Sequence, residues 1–181
     1  MIIEKYTKVY NEYFSKKEVE NQMQEAVELL SNTKRVFFVG NGGSNAICSH
    51  MFEDFAKVAR YQTFSFTDSA LITCFANDYG YENAMKEWLS LYIEKGDVLI
   101  AISSSGNSMN IVNACDMALS KGAEVISFSA FKSDNRISQK GKLNFHIPVE
   151  DFGIAECFHQ VIIHAVLDKL VEKRKALGLI K

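Results

Sequence analysis

The stretch that decides the fold is Gly96-Asp97-Val98-Leu99-Ile100-Ala101-Ile102-Ser103-Ser104-Ser105-Gly106-Asn107-Ser108. Its apolar residues, 98–102, follow one another without a polar break, which is typical of a strand buried on both faces of a parallel sheet. A loop rich in serine comes next, and from residue 111 apolar side chains recur at helical spacing. The stretch therefore predicts a buried strand that passes through a hydroxyl-rich loop into the N-terminus of a helix.

The serine-rich loop has the chemistry of an anion site. Free backbone N–H groups, the positive end of a helix dipole and short hydroxyl side chains together suit a phosphate group. The loop contains no lysine, so it does not match the GxxxxGK[ST] motif that cradles nucleotides. It suits a small phosphorylated metabolite; the alternative is a structural turn in which Asn107 or Ser108 caps the helix.

Composition limits the classes of protein to consider. The 181 residues are 48% hydrophobic, which favours one globular domain, and the net charge of −2 gives no reason to expect nucleic acid or a membrane as a partner. The four cysteines, at 48, 74, 115 and 157, lie apart in apolar surroundings, so we expect buried free thiols in a reducing cytoplasm. No apolar run reaches membrane-spanning length, and the first residues lack the apolar core of a signal peptide.

Strand and helix patterns alternate along the chain, which predicts a single-domain α/β sandwich around a parallel sheet. The domain is predicted to have three parts: a helical hairpin at 1–31, an α/β core at 34–150 and a C-terminal helix at 153–177. Five strands are predicted, at 36–39, 61–66, 98–102, 124–129 and 143–149. In the hairpin, Ser15-Lys16-Lys17-Glu18 predicts a capping box that starts the second helix. The two hairpin helices carry more apolar surface than one small domain can cover, so we expect a subunit interface there.

A second special loop, Gly40-Asn41-Gly42-Gly43-Ser44, ends the first predicted strand. Ligands of such sheets bind at the carboxyl ends of the strands, so we expect this turn and the serine loop to lie at one site. Glycine lets the backbone approach a ligand closely, and Ser44 adds a hydroxyl. The alternative is a dinucleotide fingerprint with Asp68 as the ribose-binding acid, although its third glycine would fall on Asn45.

Two helices carry side chains that could bind a metal or transfer protons. His50 and Asp54 share one helix face and are either metal ligands or a surface pair, and Glu53 could take the place of Asp54.

In the last helix, Glu156, Gln160 and His164 lie on one stripe. His164 stands in an apolar run, so it needs either a hydrogen-bond partner or a metal. His159, on a different face, is another candidate.

Together these motifs resemble the SIS (sugar isomerase) domain family, and within it the phosphoheptose isomerases. The resemblance runs from about residue 1 to 175 and rests on the glycine turn, His50, Asn77-Asp78 and the stretch 96–108. It implies a three-layer flavodoxin-like fold with a central five-stranded parallel sheet and two extra N-terminal helices. It also implies a homotetramer with sites shared between subunits.

The resemblance implies an aldose–ketose isomerase that converts sedoheptulose 7-phosphate to D-glycero-D-manno-heptose 7-phosphate. Such a reaction needs a base, an acid and stabilisation of an enediolate. Asp54 would be the base and His164 the acid, and zinc would be held by His50, Asp54, Glu156 and His164, with iron, manganese or cobalt as alternatives. The implied substrate-binding residues are Asn41, Gly42, Gly43, Ser44, Asp78, Ser103, Ser104, Ser105, Ser108 and Glu156.

Two positions depart from the family pattern. Asp54 stands where the family has a glutamate, and Glu156 stands where it has a glutamine. A non-catalytic SIS regulator that binds sugar phosphates is the alternative function. The combination of His50, an acid at 54 and His164 favours an enzyme over such a regulator, and a nicotinamide dehydrogenase would leave the serine loop unexplained.

Overall fold

The structure, a computed structural model, describes all 181 residues. The elements follow in the order α1 (Ile2–Phe14), α2 (Lys17–Ser31), β1 (Arg35–Gly40), α3 (Gly43–Lys57), β2 (Gln62–Ser65), α4 (Ser69–Tyr79), α5 (Tyr81–Tyr92), β3 (Val98–Ser103), α6 (Met109–Ser120), β4 (Glu124–Ala130), a short 3₁₀ helix (Arg136–Gln139), β5 (Leu143–Ile147) and α7 (Phe152–Ala176). None of the helices combines the length and apolarity needed to cross a membrane.

The five strands form one parallel sheet in the order β2-β1-β3-β4-β5, so the predicted sheet is confirmed. This is the strand order of flavodoxin-like folds, whose ligand crevice opens between β1 and β3, where the chain changes direction. Gly40 at the end of β1 pairs with Ile102 near the end of β3. The glycine turn and the serine loop therefore leave the sheet side by side.

Each strand sends alternate side chains to opposite faces, which produces two separate cores. Phe38 and Ile100 belong to the core under α1, α2, α3 and α7. Phe37 and Leu99, their neighbours in sequence, belong to the core under α4, α5 and α6. The three layers follow directly from this alternation.

Asp97, the residue just before β3, ties two strands together. Its carboxylate accepts bonds from Arg35 Nε (2.8 Å) and Nη2 (2.6 Å) on β1, and from the Glu94 amide (2.7 Å). Only 5% of Asp97 is exposed. A buried carboxylate is stable when it is paired in this way, so the pair fixes β1 against β3 at the edge opposite the crevice.

The predicted capping box at Ser15 is wrong. Ser15 ends α1, and its hydroxyl donates to the Glu12 carbonyl (3.4 Å). The N-cap of α2 is Lys16, which makes no side-chain capping bond. The turn between the two helices is so short that Ser15 still belongs to the end of the first.

The expectation that both N-terminal helices lack cover is wrong for α2. Its apolar stripe is buried against the core, and the helix packs on α7. In α1 only Tyr13 is buried, whereas Ile2, Ile3 and Tyr10 are exposed. An unpaired apolar stripe therefore remains on α1 alone.

The expectation that all four cysteines are buried is wrong for two of them. Cys48 and Cys115 lie in the two cores, where burial raises the pKa of the Cys115 thiol to about 12. Cys74 and Cys157 are exposed. Cys74 lies on α4, a helix without any buried residue, and Cys157 lies beside the exposed stripe of α1.

Candidate active site

A small polar pocket, which we call the serine pocket, lies in the crevice between β1 and β3. Its volume is about 80 Å³, well below the roughly 300–1,000 Å³ of pockets that enclose a whole small ligand. The pocket therefore suits one chemical group of a ligand and not a complete sugar. The residues that line it are Asn41, Ser44, Ile102, Ser103, Ser104, Ser105, Ser108, Phe152 and Glu156.

The pocket presents donors that the protein itself does not use. Ser44, Ser103 and Ser104 are each at most 6% exposed, and the buried Ser104 hydroxyl has no hydrogen-bond partner. Buried hydroxyls in proteins normally have one, so an orphan hydroxyl in a pocket indicates a place for a ligand. Both α3 and α6 begin here without a side-chain cap, which leaves backbone N–H groups available for an anion.

The glycine turn is fixed by a reciprocal amide pair. Asn41 donates to Asn110 Oδ1 (3.0 Å), Asn110 donates back to Asn41 Oδ1 (2.8 Å), and the Tyr81 hydroxyl donates to the same oxygen (2.8 Å). Sequence reasoning missed Asn110, which is 3% exposed. The available signal was an amide on the apolar side of a helix, where burial requires a polar partner.

The serine loop packs against the buried side chain of Asn135 at Gly106. Gly106 has a left-handed φ of 65°, and a Cβ at that position would lie under 3.0 Å from the Asn135 side chain. Asn135 is 1% exposed; it donates to Lys132 O (2.7 Å) and Ser129 Oγ (3.2 Å) and accepts from the Ser138 amide (3.0 Å). These hydrogen bonds hold the Asn135 side chain in place against Gly106 of the serine loop.

Three titratable side chains converge where α3 packs on α7. Asp54 Oδ2 lies 3.5 Å from His50 Nε2 and 3.8 Å from His164 Nδ1, and the two imidazole centroids are 5.2 Å apart. The three candidate ligand atoms all lie within 4.8 Å of one another. Asp54 is mostly buried, while the two histidines are open to solvent on one side. Glu53 turns instead toward Lys57 (3.5 Å) and does not replace Asp54.

This donor set fits a divalent metal such as zinc. Zinc bonds of about 2.0–2.2 Å place neighbouring tetrahedral ligands roughly 3.5 Å apart, close to the distances from Asp54 to the two histidines. Two imidazole nitrogens and a carboxylate oxygen are ligands that zinc accepts, and three protein ligands leave a position open.

Glu156 lies in the serine pocket and not among these three residues. Its carboxylate packs against Gly43, where an added Cβ would come under 3.0 Å from it. Glu156 and His164 are eight residues apart on α7, which corresponds to about 12 Å along the helix axis. The carboxylate lies instead at the positive end of α3. That Glu156 also binds a metal stays a prediction.

Three other candidates lie outside both groups. The Asp78 carboxylate is exposed and accepts from Asn77 Nδ2 (2.9 Å), away from the serine pocket. His159 is fully buried beside the Ser129 carbonyl (3.1 Å), and burial lowers the pKa of its imidazole to about 4. Asp68 caps α4 by accepting from the Leu71 amide (2.9 Å) and does not line the serine pocket beside the glycine turn, so the structure gives the dinucleotide alternative no support.

Both the sequence and the fold of the chain are similar to those of known proteins. The SIS domain family model matches residues 5–130. The phosphoheptose isomerase of Fusobacterium nucleatum is 30% identical over 89% of this chain and 85% of its own length, and that of Sodalis glossinidius is 33% identical over 83% and 82%. The solved structure of phosphoheptose isomerase GmhA from Neisseria gonorrhoeae superposes with a TM-score of 0.85 at 22% identity, covering 93% of this chain and 94% of that one.

Proposed function

The chain belongs to the phosphoheptose isomerase group of the SIS domain family, and we propose that it interconverts a ketose phosphate and an aldose phosphate. The substrate we assign is sedoheptulose 7-phosphate, with D-glycero-D-manno-heptose 7-phosphate as the product. The four unpaired thiols suit a reducing compartment, so we place the reaction in the cytoplasm.

One observation carries this proposal: α3 contributes to both parts of the site. Its N-terminus and Ser44 border the serine pocket, and His50 and Asp54 follow on later turns. From Gly43 to His50 the helix rises about 10 Å. Such a separation suits a substrate whose phosphate and carbonyl lie at opposite ends of one carbon chain.

Asp54 is the proposed base. Both of its imidazole contacts involve Oδ2, so Oδ1 is left to take the proton from the carbon beside the substrate carbonyl. His164 is the proposed acid, because it faces the same carboxylate and can carry a proton between the two substrate oxygens. A divalent metal held by His50, Asp54 and His164 would supply positive charge that stabilises the enediolate.

The phosphate is proposed to bind the serine loop and the two helix N-termini. Glu156 then has to leave Gly43 when the phosphate arrives, because the two anions would repel each other at the same helix end. The proposed roles of Glu156 in binding substrate and metal require such a movement, because its carboxylate now lies against Gly43.

We also propose a homotetramer whose sites are shared between subunits. The apolar stripe of α1 borders an exposed groove of about 320 Å³ that contains Tyr6, Tyr10 and Val161. A neighbouring copy would cover this surface. Asp78, which is exposed and does not line the pocket of its own chain, would act in the site of a neighbour.

Exchange of solvent deuterium into the sugar tests this function. Wild-type protein with zinc and sedoheptulose 7-phosphate should exchange the proton on the carbon beside the carbonyl, and Asp54→Asn should abolish exchange because it removes the base. Glu53→Gln is the matched control, since its carboxylate lies one residue away and faces Lys57. Exchange by Asp54→Asn at the wild-type rate would exclude Asp54 as the base.

Binding of the substrate separates catalysis from sensing. Ser105→Ala/Ser108→Ala removes two hydroxyls proposed to bind a charged group, each worth about 1.5–3 kcal/mol, so affinity should fall at least 100-fold while folding is retained. Unchanged affinity would exclude the serine loop as the phosphate site. Wild-type protein that binds the sugar phosphate without any exchange would be a regulator and not an isomerase.

A further inference from the structure

A second cavity lies at the C-terminal ends of α3 and α7, the two helices that carry His50, Asp54 and His164. It has a volume of about 460 Å³ and is formed by the ends of α3 and α7 and the residues that follow them. No residue of the serine pocket or of the His–Asp–His group lines it. We call it the basic groove.

The basic groove concentrates positive charge. Lys57, Arg60, Lys175 and Lys181 line it, and no aspartate or glutamate does. Only Lys57 has an ion-pair partner, Glu53 at 3.5 Å. Cations at helix C-termini complement the helix dipole, which accounts for Lys57 and Lys175 but not for Arg60 and Lys181, which lie beyond the helix ends.

Arg60 provides an independent reason to assign a ligand to this groove. Its φ is 61°, in the left-handed region that costs a residue with a Cβ about 1–2 kcal/mol and that glycine adopts freely. Arg60 is exposed, and its guanidinium makes neither a hydrogen bond nor an ion pair within the chain. Strained residues cluster at functional sites, and here the strained residue is also an unpaired arginine that lines the groove.

The other half of the lining is apolar and includes Val58 and Leu179. A bare inorganic anion would leave these side chains without contacts. An organic molecule that carries two adjacent phosphates would satisfy both halves, since guanidinium and ammonium groups bind phosphate and an organic ring would cover the apolar side chains. The volume of about 460 Å³ lies within the range of small-molecule pockets.

We propose that the basic groove is a second ligand site, which binds an organic diphosphate such as a nucleoside diphosphate. The site is independent of the proposed isomerase activity. It joins α3 to α7, the two helices whose packing sets the separation of Asp54 and His164.

Isothermal titration with adenosine 5′-diphosphate at fixed ionic strength tests the proposal. Wild-type protein should bind one molecule per chain, and Arg60→Gln/Lys175→Gln should weaken binding at least tenfold. Lys16→Gln/Lys121→Gln is the matched control, because it removes the same charge from two exposed lysines outside the groove. Its affinity should stay within twofold of wild type.

Ser105→Ala/Ser108→Ala distinguishes the two sites and should bind adenosine 5′-diphosphate as wild type does. Loss of binding in this variant would place the diphosphate in the serine pocket and overturn the proposal. An equal loss of nucleotide affinity in Lys16→Gln/Lys121→Gln would show that binding depends only on net charge, and it would also overturn the proposal. No heat of binding by wild-type protein at millimolar nucleotide would have the same consequence.

Discussion

Replacing Gly106 by alanine tests whether Asn135 fixes the serine loop. Gly106 has a φ of 65°, so any residue with a Cβ there is strained by about 1–2 kcal/mol. The added Cβ also displaces the Asn135 amide from three hydrogen bonds, each worth about 0.5–1.5 kcal/mol net. Because Asn135 is buried, its displacement should lower the free energy of unfolding by about 2–4 kcal/mol in addition to the backbone strain.

Gly178→Ala is the matched control for this substitution. Gly178 has a φ of 67°, nearly the same as Gly106, but an added Cβ meets nothing within 4 Å. The two variants share the backbone strain, and their difference isolates the contact with Asn135.

Urea unfolding followed by the fluorescence of Trp88, the only tryptophan and a core residue, measures both variants. Gly106→Ala should unfold with a free energy about 2–4 kcal/mol below that of Gly178→Ala, or a Tm roughly 5–15 °C lower. Equal free energies of unfolding would show that Asn135 does not hold the loop and would refute the reasoning.

The buried imidazole and the α1 surface give two further predictions. Burial lowers the pKa of His159 from 6.5 to about 4, so the unfolded chain binds its proton first and the free energy of unfolding falls as pH drops between these values, by about 3 kcal/mol. His159→Gln should flatten that slope in urea unfolding at several pH values, and an unchanged slope would assign it to other groups. Light scattering should give the mass of four chains, and Ile3→Glu on α1 should lower it; a wild-type monomer at micromolar concentration would contradict the tetramer.

Local patterns predicted the parts of the fold that depend on burial. The uninterrupted apolar runs became central strands, because a strand covered on both faces leaves no place for polar side chains. The Ser15 cap was not predictable in this way, because it depended on whether the hydroxyl faces an earlier carbonyl or a later amide. The exposure of Cys74 likewise depends on how α4 sits on the sheet, which its own apolar residues do not determine.

The candidate site was predictable to the extent that helical spacing places side chains on one face. The convergence of His50, Asp54 and His164 follows from their stripes and from the packing of α3 on α7. Glu156 shares the stripe of His164, yet its side chain turns to the positive end of α3, a choice between two partners that spacing cannot decide. Asn110 and Asn135 act through long-range hydrogen bonds, and neither follows a motif.

The continuous helix from Ser44 to Asp54 constrains how the gene can change. One residue inserted between Ser44 and His50 would turn His50 by about 100° around the axis and point it away from α7. About seven inserted residues, close to two full turns, would restore the direction of His50 but move it about 10 Å further from the serine pocket. Insertions and deletions should therefore be excluded from this segment, and any change in the length of sugar accepted would come in steps of whole helical turns.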